Sequence, residues 1–149
     1  MAATRALATN HKAHFQYFIQ DKEEAGIALE GSEIKSVRAG RVSLSEAFIR
    51  PDGGELWLRN AHIARYEPSG VSGHEPTRPR KLLLHRRQIK FLAGKVAEKG
   101  LTIVPLRMYL KGNRAKVEIA LAKGKKLYDK REAITRREVE RNLRRMVKR

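Results

Sequence analysis

Cationic side chains are concentrated in the last 27 residues, where the composition points most directly to a chemical role. Residues 123–149 contain 12 Lys or Arg and 4 Asp or Glu, so they carry +8 of the formal +17 of the chain. Such a density of like charge repels itself unless a polyanion screens it. Val139, Leu143, Met146 and Val147 form only a narrow apolar stripe at helical spacing. We therefore expect an arm that is loose alone and helical on nucleic acid; the alternative is a frayed terminal helix docked on its own domain.

The remainder of the chain is basic as well. Of the 33 Lys and Arg and 16 Asp and Glu in the 149 residues, 21 and 12 lie before residue 123, which leaves +9. A net charge of this size favours a nucleic-acid partner. The chain has no cysteine, which excludes disulfides and thiolate metal sites. No segment reads as a signal peptide or a membrane span, so we expect a cytoplasmic protein without a membrane partner.

Two histidines and a lysine near the N-terminus could serve as a ribonuclease acid–base set. These residues are His11, Lys12 and His14. The leader around them offers no buried pocket that would tune a pKa, so exposed residues in a basic leader are the simpler interpretation. The histidines lack the spacing and the further ligand of a zinc site, and we expect no metal.

The pattern along the chain predicts a flexible leader (1–12), a folded body (13–123) and a basic tail (124–149). Turn residues at 51–54 predict a hairpin, and Pro105 predicts an edge or a bulge in its strand. Residues 67–79 read as a long surface loop. Strands are expected from Phe15 and over 25–29, 46–50, 55–59, 61–66, 101–110 and 115–122, and helices over 33–39 and 86–99.

Six or seven short strands with two helices predict a mainly β fold. A closed barrel of the OB type hides the edges of so many strands, and barrels of this type often bind irregular RNA on one face. We expect a mainly β protein with short helices, built as an OB-type closed β-barrel with a basic C-terminal tail that becomes helical on binding.

Four stretches together identify a family. They are residues 24–40 (EAGIALEGSEIKSVRAG), 80–85 (RKLLLH), 116–126 (KVEIALAKGKK) and 129–131 (DKR). In this order and spacing they make the chain resemble the bacterial SsrA-binding protein family, also called small protein B. Members of this family are the partners of transfer-messenger RNA in trans-translation. The resemblance runs from about Asn10 to the end of the chain.

The resemblance implies an OB-type barrel with no enzymatic activity and no cofactor. It implies binding to the tRNA-like domain of transfer-messenger RNA and delivery of that RNA to stalled ribosomes. The RNA-contacting glutamate, leucine and lysine of the family fall on Glu24, Leu83 and Lys116. Many members have an Arg or Lys in the leader where this chain has His11. The other expected RNA-binding residues are Asn10, Lys12, Lys35, Arg38, Lys81 and Lys123.

The resemblance also assigns a ribosomal role to the tail. Its partners are expected in the decoding region and the mRNA channel, and the elongation factor that carries aminoacyl-tRNA is a further expected partner of a monomeric protein. A structural ribosomal protein with a basic extension remains the alternative function. The expected ribosome-interacting residues are Gly124, Lys125, Lys126, Tyr128, Asp129, Lys130, Arg131, Arg137, Arg141 and Arg145.

Overall fold

The computed structural model describes residues 5–65, 74–125 and 135–142. The strands of the described part are β1 (Arg5–Thr9), β2 (Tyr17–Ile27), β3 (Val42–Ser43), β4 (Phe48–Asp52), β5 (Glu55–Arg59), β6 (His62–Ile63), β7 (Arg80–Leu83), β8 (Thr102–Lys111) and β9 (Arg114–Gly124). The helices are α1 (His11–Gln16), α2 (Gly31–Arg38), α3 (Arg86–Lys99) and α4 (residues 135–142).

Six antiparallel strands close into a ring. The main sheet runs β1-β8-β4-β5-β7-β2-β9, and β9 also pairs with β8. One edge of β8 is shared, because β4 meets it at Ile103 whereas β1 pairs with its second half, from Arg107 to Leu110. The short strands β3 and β6 form a separate two-stranded sheet. The mainly β prediction is confirmed, and the pairing pattern is that of the expected closed barrel.

Buried apolar side chains alternate with accessible residues along the strands, and the buried ones fill the interior of the ring. Leu56 and Leu58 on β5 are fully buried, as are Val117 and Ile119 on β9, and the residues between them are partly accessible. The register of β8 against β9 shifts between Pro105 and Arg107, which places the proline at a bulge as predicted.

The leader differs from its prediction. Residues 5–9 pair with β8 and residues 11–16 form α1, so this part of the leader is not loose. The reason is Asn10, whose side chain caps α1 by accepting from the backbone N–H of Ala13 at 3.3 Å. Its amide nitrogen donates to the carbonyl oxygen of Pro105 at 3.0 Å, which ties the turn to β8.

Other elements match the sequence to different degrees. The α3 helix has the predicted bounds and ends at Gly100, whose φ of 62° is left-handed. The predicted hairpin forms between β4 and β5. The two short strands expected near Phe15 and over 25–29 are instead one strand, β2, with a bulge between Ile19 and Lys22. Of the strand expected over 61–66, the described residues 61–65 form only β6.

Residues 135–142 of the tail form the helix α4. All eight of its residues are exposed, so it makes little apolar contact with the barrel. The guanidinium carbon of Arg137 lies 5.6 Å from the centroid of the Phe15 ring, which brings α4 against the end of α1. The prediction that the tail is loose alone and becomes helical on binding stays a prediction.

A buried ion network joins α2, β7 and the segment before β7. The carboxylate of Glu33 and the guanidinium of Arg80 are both inaccessible, with 2.6 Å between Oε2 and Nε. Arg78 donates to the same carboxylate from Nε at 3.1 Å and from its terminal nitrogen. Arg80 also donates to the carbonyl oxygens of Ala61 at 2.7 Å and Pro76 at 2.9 Å. Nε of Arg78 also lies 3.8 Å from Oε1 of Glu30, so two guanidinium groups face two carboxylates.

Burial raises the pKa of Glu33, but the hydrogen bonds from Arg78, the Glu30 backbone N–H and Arg80 outweigh burial and hold the pKa below its ordinary value of 4.5. A carboxyl with a lowered pKa in the folded state stabilises the fold above its unfolded pKa. That stabilisation disappears as the pH falls through the lowered value.

The Glu33→Gln variant should lower the free energy of unfolding at pH 7 by about 3–5 kcal/mol, because Arg80 then stays buried without a counter-charge. Urea denaturation followed by circular dichroism measures this change. Glu46→Gln is the matched control, since Glu46 pairs with Lys12 on the exposed surface and should change stability by less than about 1 kcal/mol.

The Glu33→Gln variant should also differ from the wild type in how its stability depends on pH. The wild-type protein should lose stability as the pH falls below 4.5, and the loss should be smaller in Glu33→Gln, which cannot be protonated. Equal acid sensitivity of the two proteins, or equal losses for the two substitutions at pH 7, would contradict this role for Glu33.

Candidate nucleic-acid interface

Three adjacent strands bring Glu24, Leu83 and Lys116 to one place. Gly26 on β2 is opposite Leu83 on β7 and opposite Lys116 on β9. The three side chains line an open groove of about 420 Å³. We call this groove, which His85 and Gln88 also line, the β2 groove. Residues that are far apart in the sequence therefore form one surface because of strand register.

Gly26 lies at the base of the β2 groove and leaves space for its neighbour. A Cβ on Gly26 would lie 3.1 Å from the Cβ of Leu83, closer than side chains normally pack. Leu83 is 50% exposed, which is unusual for a leucine on a strand. It adds an apolar surface to a groove that Glu24 and Lys116 also line, and such a surface suits the face of a sugar or a base.

Glu24 is held as an acceptor. The hydroxyl of Tyr109 donates to its Oε2, and Nζ of Lys111 lies 3.4 Å from Oε1. The hydrogen bond from Tyr109 is the main cause of a lowered pKa at Glu24. Burial, together with the bond to Glu24, raises the pKa of Tyr109, so its hydroxyl stays protonated. Glu24 is therefore ionised at neutral pH and can accept hydrogen bonds from base amino groups or ribose hydroxyls.

The start of α3 forms one wall of the β2 groove. His85 is the N-cap, and its backbone N–H donates to the side-chain oxygen of Gln88 at 3.0 Å. The side-chain nitrogen of Gln88 donates to Glu23 on β2 at 3.1 Å, which fixes the helix to the strand. The wall is thus held in position by hydrogen bonds within the protein.

The other predicted RNA-binding residues are spread over the surface. Lys81 is half-buried on β7, opposite Trp57 on β5. Lys35 and Arg38 are exposed on α2, and Lys123 is exposed on β9 at the other end from Lys116. These cations therefore do not converge on the β2 groove.

Two predicted residues of the leader have structural partners. Lys12 is exposed and its Nζ lies 2.6 Å from Oε1 of Glu46. Asn10 is only 4% exposed, and its oxygen and its nitrogen are both used in holding α1 to β8. Asn10 thus has a capping role in the fold, and its contact with RNA stays a prediction. His11 and His14 are exposed on α1.

The tail residues divide into described and undescribed ones. Gly124 ends β9, Lys125 follows it, and Arg137 and Arg141 lie on the exposed α4. The predictions made for Lys126, Tyr128, Asp129, Lys130, Arg131 and Arg145 fall outside the described residues.

The sequence did not predict the residues that support the site. Tyr109 and Gln88 contact the acidic residues of β2 from β8 and α3. The pattern around Tyr109 shows a strand but not which strand lies beside it. Within the described segments, no group of three or more His, Asp or Glu is placed to hold a metal ion. No described helix is long and apolar enough to cross a membrane.

The Tyr109→Phe variant should raise the pKa of Glu24 towards 4.5, because the donor that stabilises the carboxylate is lost. Carbon-detected NMR titration of the side-chain carboxyl measures the shift. Tyr17→Phe removes a hydroxyl elsewhere on the barrel and should leave Glu24 unchanged. If Glu24 titrates identically in all three proteins, its environment is not set by Tyr109.

The sequence is similar to known proteins over nearly its whole length. The model of the SmpB protein family matches residues 7–149. An SsrA-binding protein of Dehalococcoides mccartyi is 57% identical over 148 residues, covering 99% of this chain and 86% of the relative. One of Roseiflexus sp. is 60% identical over 145 residues, covering 97% of this chain and 92% of the relative.

A solved structure shows the same likeness in three dimensions. It is described as "tmRNA-SmpB: a journey to the center of the bacterial ribosome". The two chains superpose with a TM-score of 0.70 at 45% sequence identity, over 89% of this chain and 95% of the other.

Proposed function

This chain belongs to the SmpB protein family, and from that membership we propose that it is an RNA-binding adaptor of trans-translation. It binds the tRNA-like domain of transfer-messenger RNA and delivers this RNA to stalled ribosomes. The single observation that supports this function best is the convergence of Glu24, Leu83 and Lys116 on the β2 groove.

The chemistry of the β2 groove suits a folded RNA. Lys116 is partly exposed next to the buried Val117, so its ammonium group can reach a phosphate or a base edge. Glu24 supplies an anionic acceptor that repels phosphate and favours amino groups and ribose hydroxyls. Leu83 lies on β7, on the other side of β2 from Lys116. The groove therefore distinguishes the orientation of the RNA backbone, which a purely cationic surface would not do.

The charge of the whole chain supports the same proposal. A formal charge of +17 draws RNA to the surface over long distances and makes binding depend strongly on salt. We propose that the protein acts in the cytoplasm by binding and not by catalysis. Binding as a monomer, and contact with the elongation factor that carries aminoacyl-tRNA, stay predictions.

Lys116→Ala should weaken binding to the tRNA-like domain by about 1–3 kcal/mol if the lysine reaches a base edge. If it neutralises a phosphate, the salt slope of binding should instead fall by about one. Filter binding at several salt concentrations separates these cases. Unchanged affinity with an unchanged slope would mean that Lys116 is only a solvated side chain.

Arg50→Ala is the matched control for Lys116→Ala. It also removes one exposed cation, but β4 lies three strands from β2 in either direction around the ring. Its effect on affinity should be small. A loss as large as that of Lys116→Ala would show that general charge, and not the β2 groove, holds the RNA.

We propose that the tail enters the empty mRNA channel of the stalled ribosome. The exposed cations of α4, Arg137 and Arg141 among them, can pair with phosphates in a channel walled by RNA. Such pairing relieves the repulsion that opposes the helix in water. A channel that still holds mRNA would exclude the tail, so the protein distinguishes a ribosome that has run out of message.

Deleting residues 133–149 should abolish tagging on stalled ribosomes and leave selective binding to transfer-messenger RNA intact, because the β2 groove remains. A reconstituted translation reaction on a truncated mRNA measures tagging. Normal tagging by the truncated chain would reject the tail proposal.

Two double variants of α4 test charge separately from length. Arg137→Gln with Arg141→Gln removes two cations and should reduce tagging. Glu138→Gln with Glu140→Gln keeps every cation on the same helix and should retain it. Equal tagging by the two double variants would mean that α4 does not act through its positive charge.

A further inference from the structure

Two rows of outward-facing side chains cross β9 and β8 beside the β2 groove. In the first row, Glu24 on β2 is opposite Glu118 on β9, and Glu118 is opposite Arg107 on β8. In the second row, Lys116 on β9 is opposite Tyr109 on β8. Residues two apart on a strand share a face, so both rows lie on the outside of the barrel. The hydroxyl of Tyr109 therefore crosses from the second row to the first when it donates to Glu24.

The first row places two carboxylates side by side. Like charges directly opposite each other on paired strands destabilise a sheet, so Glu24 and Glu118 need cations close to them. Nζ of Lys111 lies 3.4 Å from Oε1 of Glu24. The terminal nitrogen Nη2 of Arg107 lies 3.5 Å from Oε2 of Glu118. Each carboxylate thus has a cation of its own, and Arg107 weakens the repulsion that Glu118 exerts on Glu24.

Arg107 also contacts the ring of Tyr109. Its guanidinium carbon lies 4.9 Å from the ring centroid, within the range of a cation–π contact. Tyr109 is only 4% exposed, and β1 lies beside it, because Ala6 is opposite Tyr109 in the register. The direction of the hydroxyl depends on the orientation of the ring. A guanidinium that packs on the ring therefore keeps the hydroxyl directed at Glu24.

We infer that Arg107 is a positioning residue for the β2 groove, which holds the hydroxyl of Tyr109 on Glu24 and is itself held by Glu118. This inference rests on the proposed function, because it takes Glu24 as an acceptor for RNA. Arg107 acts through Tyr109 and does not need to touch the RNA. The selectivity of the groove thus depends on a residue two strands away from Glu24.

Arg107→Ala tests the inference in the full-length chain without RNA. Carbon-detected NMR titration should show a higher pKa for Glu24 than in the wild type, because the hydroxyl of Tyr109 is no longer held on the carboxylate. In a chain that already carries Tyr109→Phe, Arg107→Ala should raise this pKa much less. A simple loss of positive charge would act equally in both chains. The titratable groups that surround Glu24 in these measurements are Tyr109, Lys111, Lys116, Glu118 and His85.

Arg107→Lys separates position from charge in a second variant. The ammonium group keeps the positive charge of Arg107, but it lacks the planar face that packs on the ring of Tyr109 while its edge reaches Glu118. The pKa of Glu24 should therefore rise in Arg107→Lys as well. A wild-type pKa in this variant would mean that Arg107 acts only through its charge.

Filter binding to the transcribed tRNA-like domain of transfer-messenger RNA gives the functional readout. Arg107→Ala should weaken binding by about 3- to 10-fold, the effect expected for the loss of one cation–π contact. In the Tyr109→Phe chain the same substitution should weaken binding by less than about twofold, because its target is already absent. Poly(U) of equal length is the second probe, and it reports the loss of one cation without selectivity.

Arg59→Ala is the matched control, because the side chains of Arg59 and Arg107 are both 38% exposed. Nη2 of Arg59 lies 3.7 Å from Oδ2 of Asp52, which is a similar ion pair. Within the described residues, Nε of each arginine is buried without a hydrogen-bond partner. Arg59 lies on β5, which β7 separates from β2. Arg59→Ala should leave the pKa of Glu24 unchanged and affinity for the tRNA-like domain within about twofold. Both variants should bind poly(U) equally.

Three outcomes would overturn the inference. They are an unchanged pKa of Glu24 in an Arg107→Ala chain that circular dichroism shows to be folded, an equal rise of that pKa with and without Tyr109→Phe, and an equal loss of affinity in Arg59→Ala. Failure of the wild-type chain to bind the tRNA-like domain selectively would instead overturn the proposed function. The two failures are distinguishable, because the titration of Glu24 needs no RNA.

Discussion

The buried pair between Glu33 and Arg80 is the interaction on which the arrangement of the barrel depends. It joins α2 to β7 across 47 positions of sequence, and the further hydrogen bonds of Arg80 reach the carbonyl oxygens of Ala61 and Pro76. A buried charge is tolerated only when its partners are in place, so the network selects one packing of these segments over others. Because β7 also carries Leu83, the position of the β2 groove follows from that packing.

The chain uses its polar groups in two different ways. Inside the barrel, Glu33 and Arg80 neutralise each other and are withdrawn from any ligand. On the surface, Glu24 is ionised but held by Tyr109 and remains accessible. Cations outnumber carboxylates so strongly that an accessible, pre-oriented carboxylate on an RNA-binding face is a means of selectivity, since it discriminates against RNA backbones that bring phosphate to that point.

The local features of the fold were predictable from sequence, and the contacts between distant residues were not. Alternation around Val117 and the turn at residues 51–54 predicted strands and a hairpin that the structure contains. The distribution of charge predicted the basic tail. The family motifs predicted that Glu24, Leu83 and Lys116 contact RNA. The structure of the leader was not predicted, because it depends on a hydrogen bond from Asn10 to the carbonyl oxygen of Pro105, 95 residues away. The same limitation hid the burial of Glu33, which looks like any other charged residue on a short helix.

The pairing of β1 with β8 has a consequence for the behaviour of the protein in solution. Along its second half, β8 has β9 on one side and only β1 on the other. If the first nine residues were removed by proteolysis, the backbone N–H and C=O groups of that edge would be left without partners. An exposed strand edge of this kind recruits other strands, including those of further copies of the chain. β1 thus covers an edge of β8 through which the barrel could otherwise pair with other strands, although nothing in the composition of β1 marks it as more than part of a polar leader.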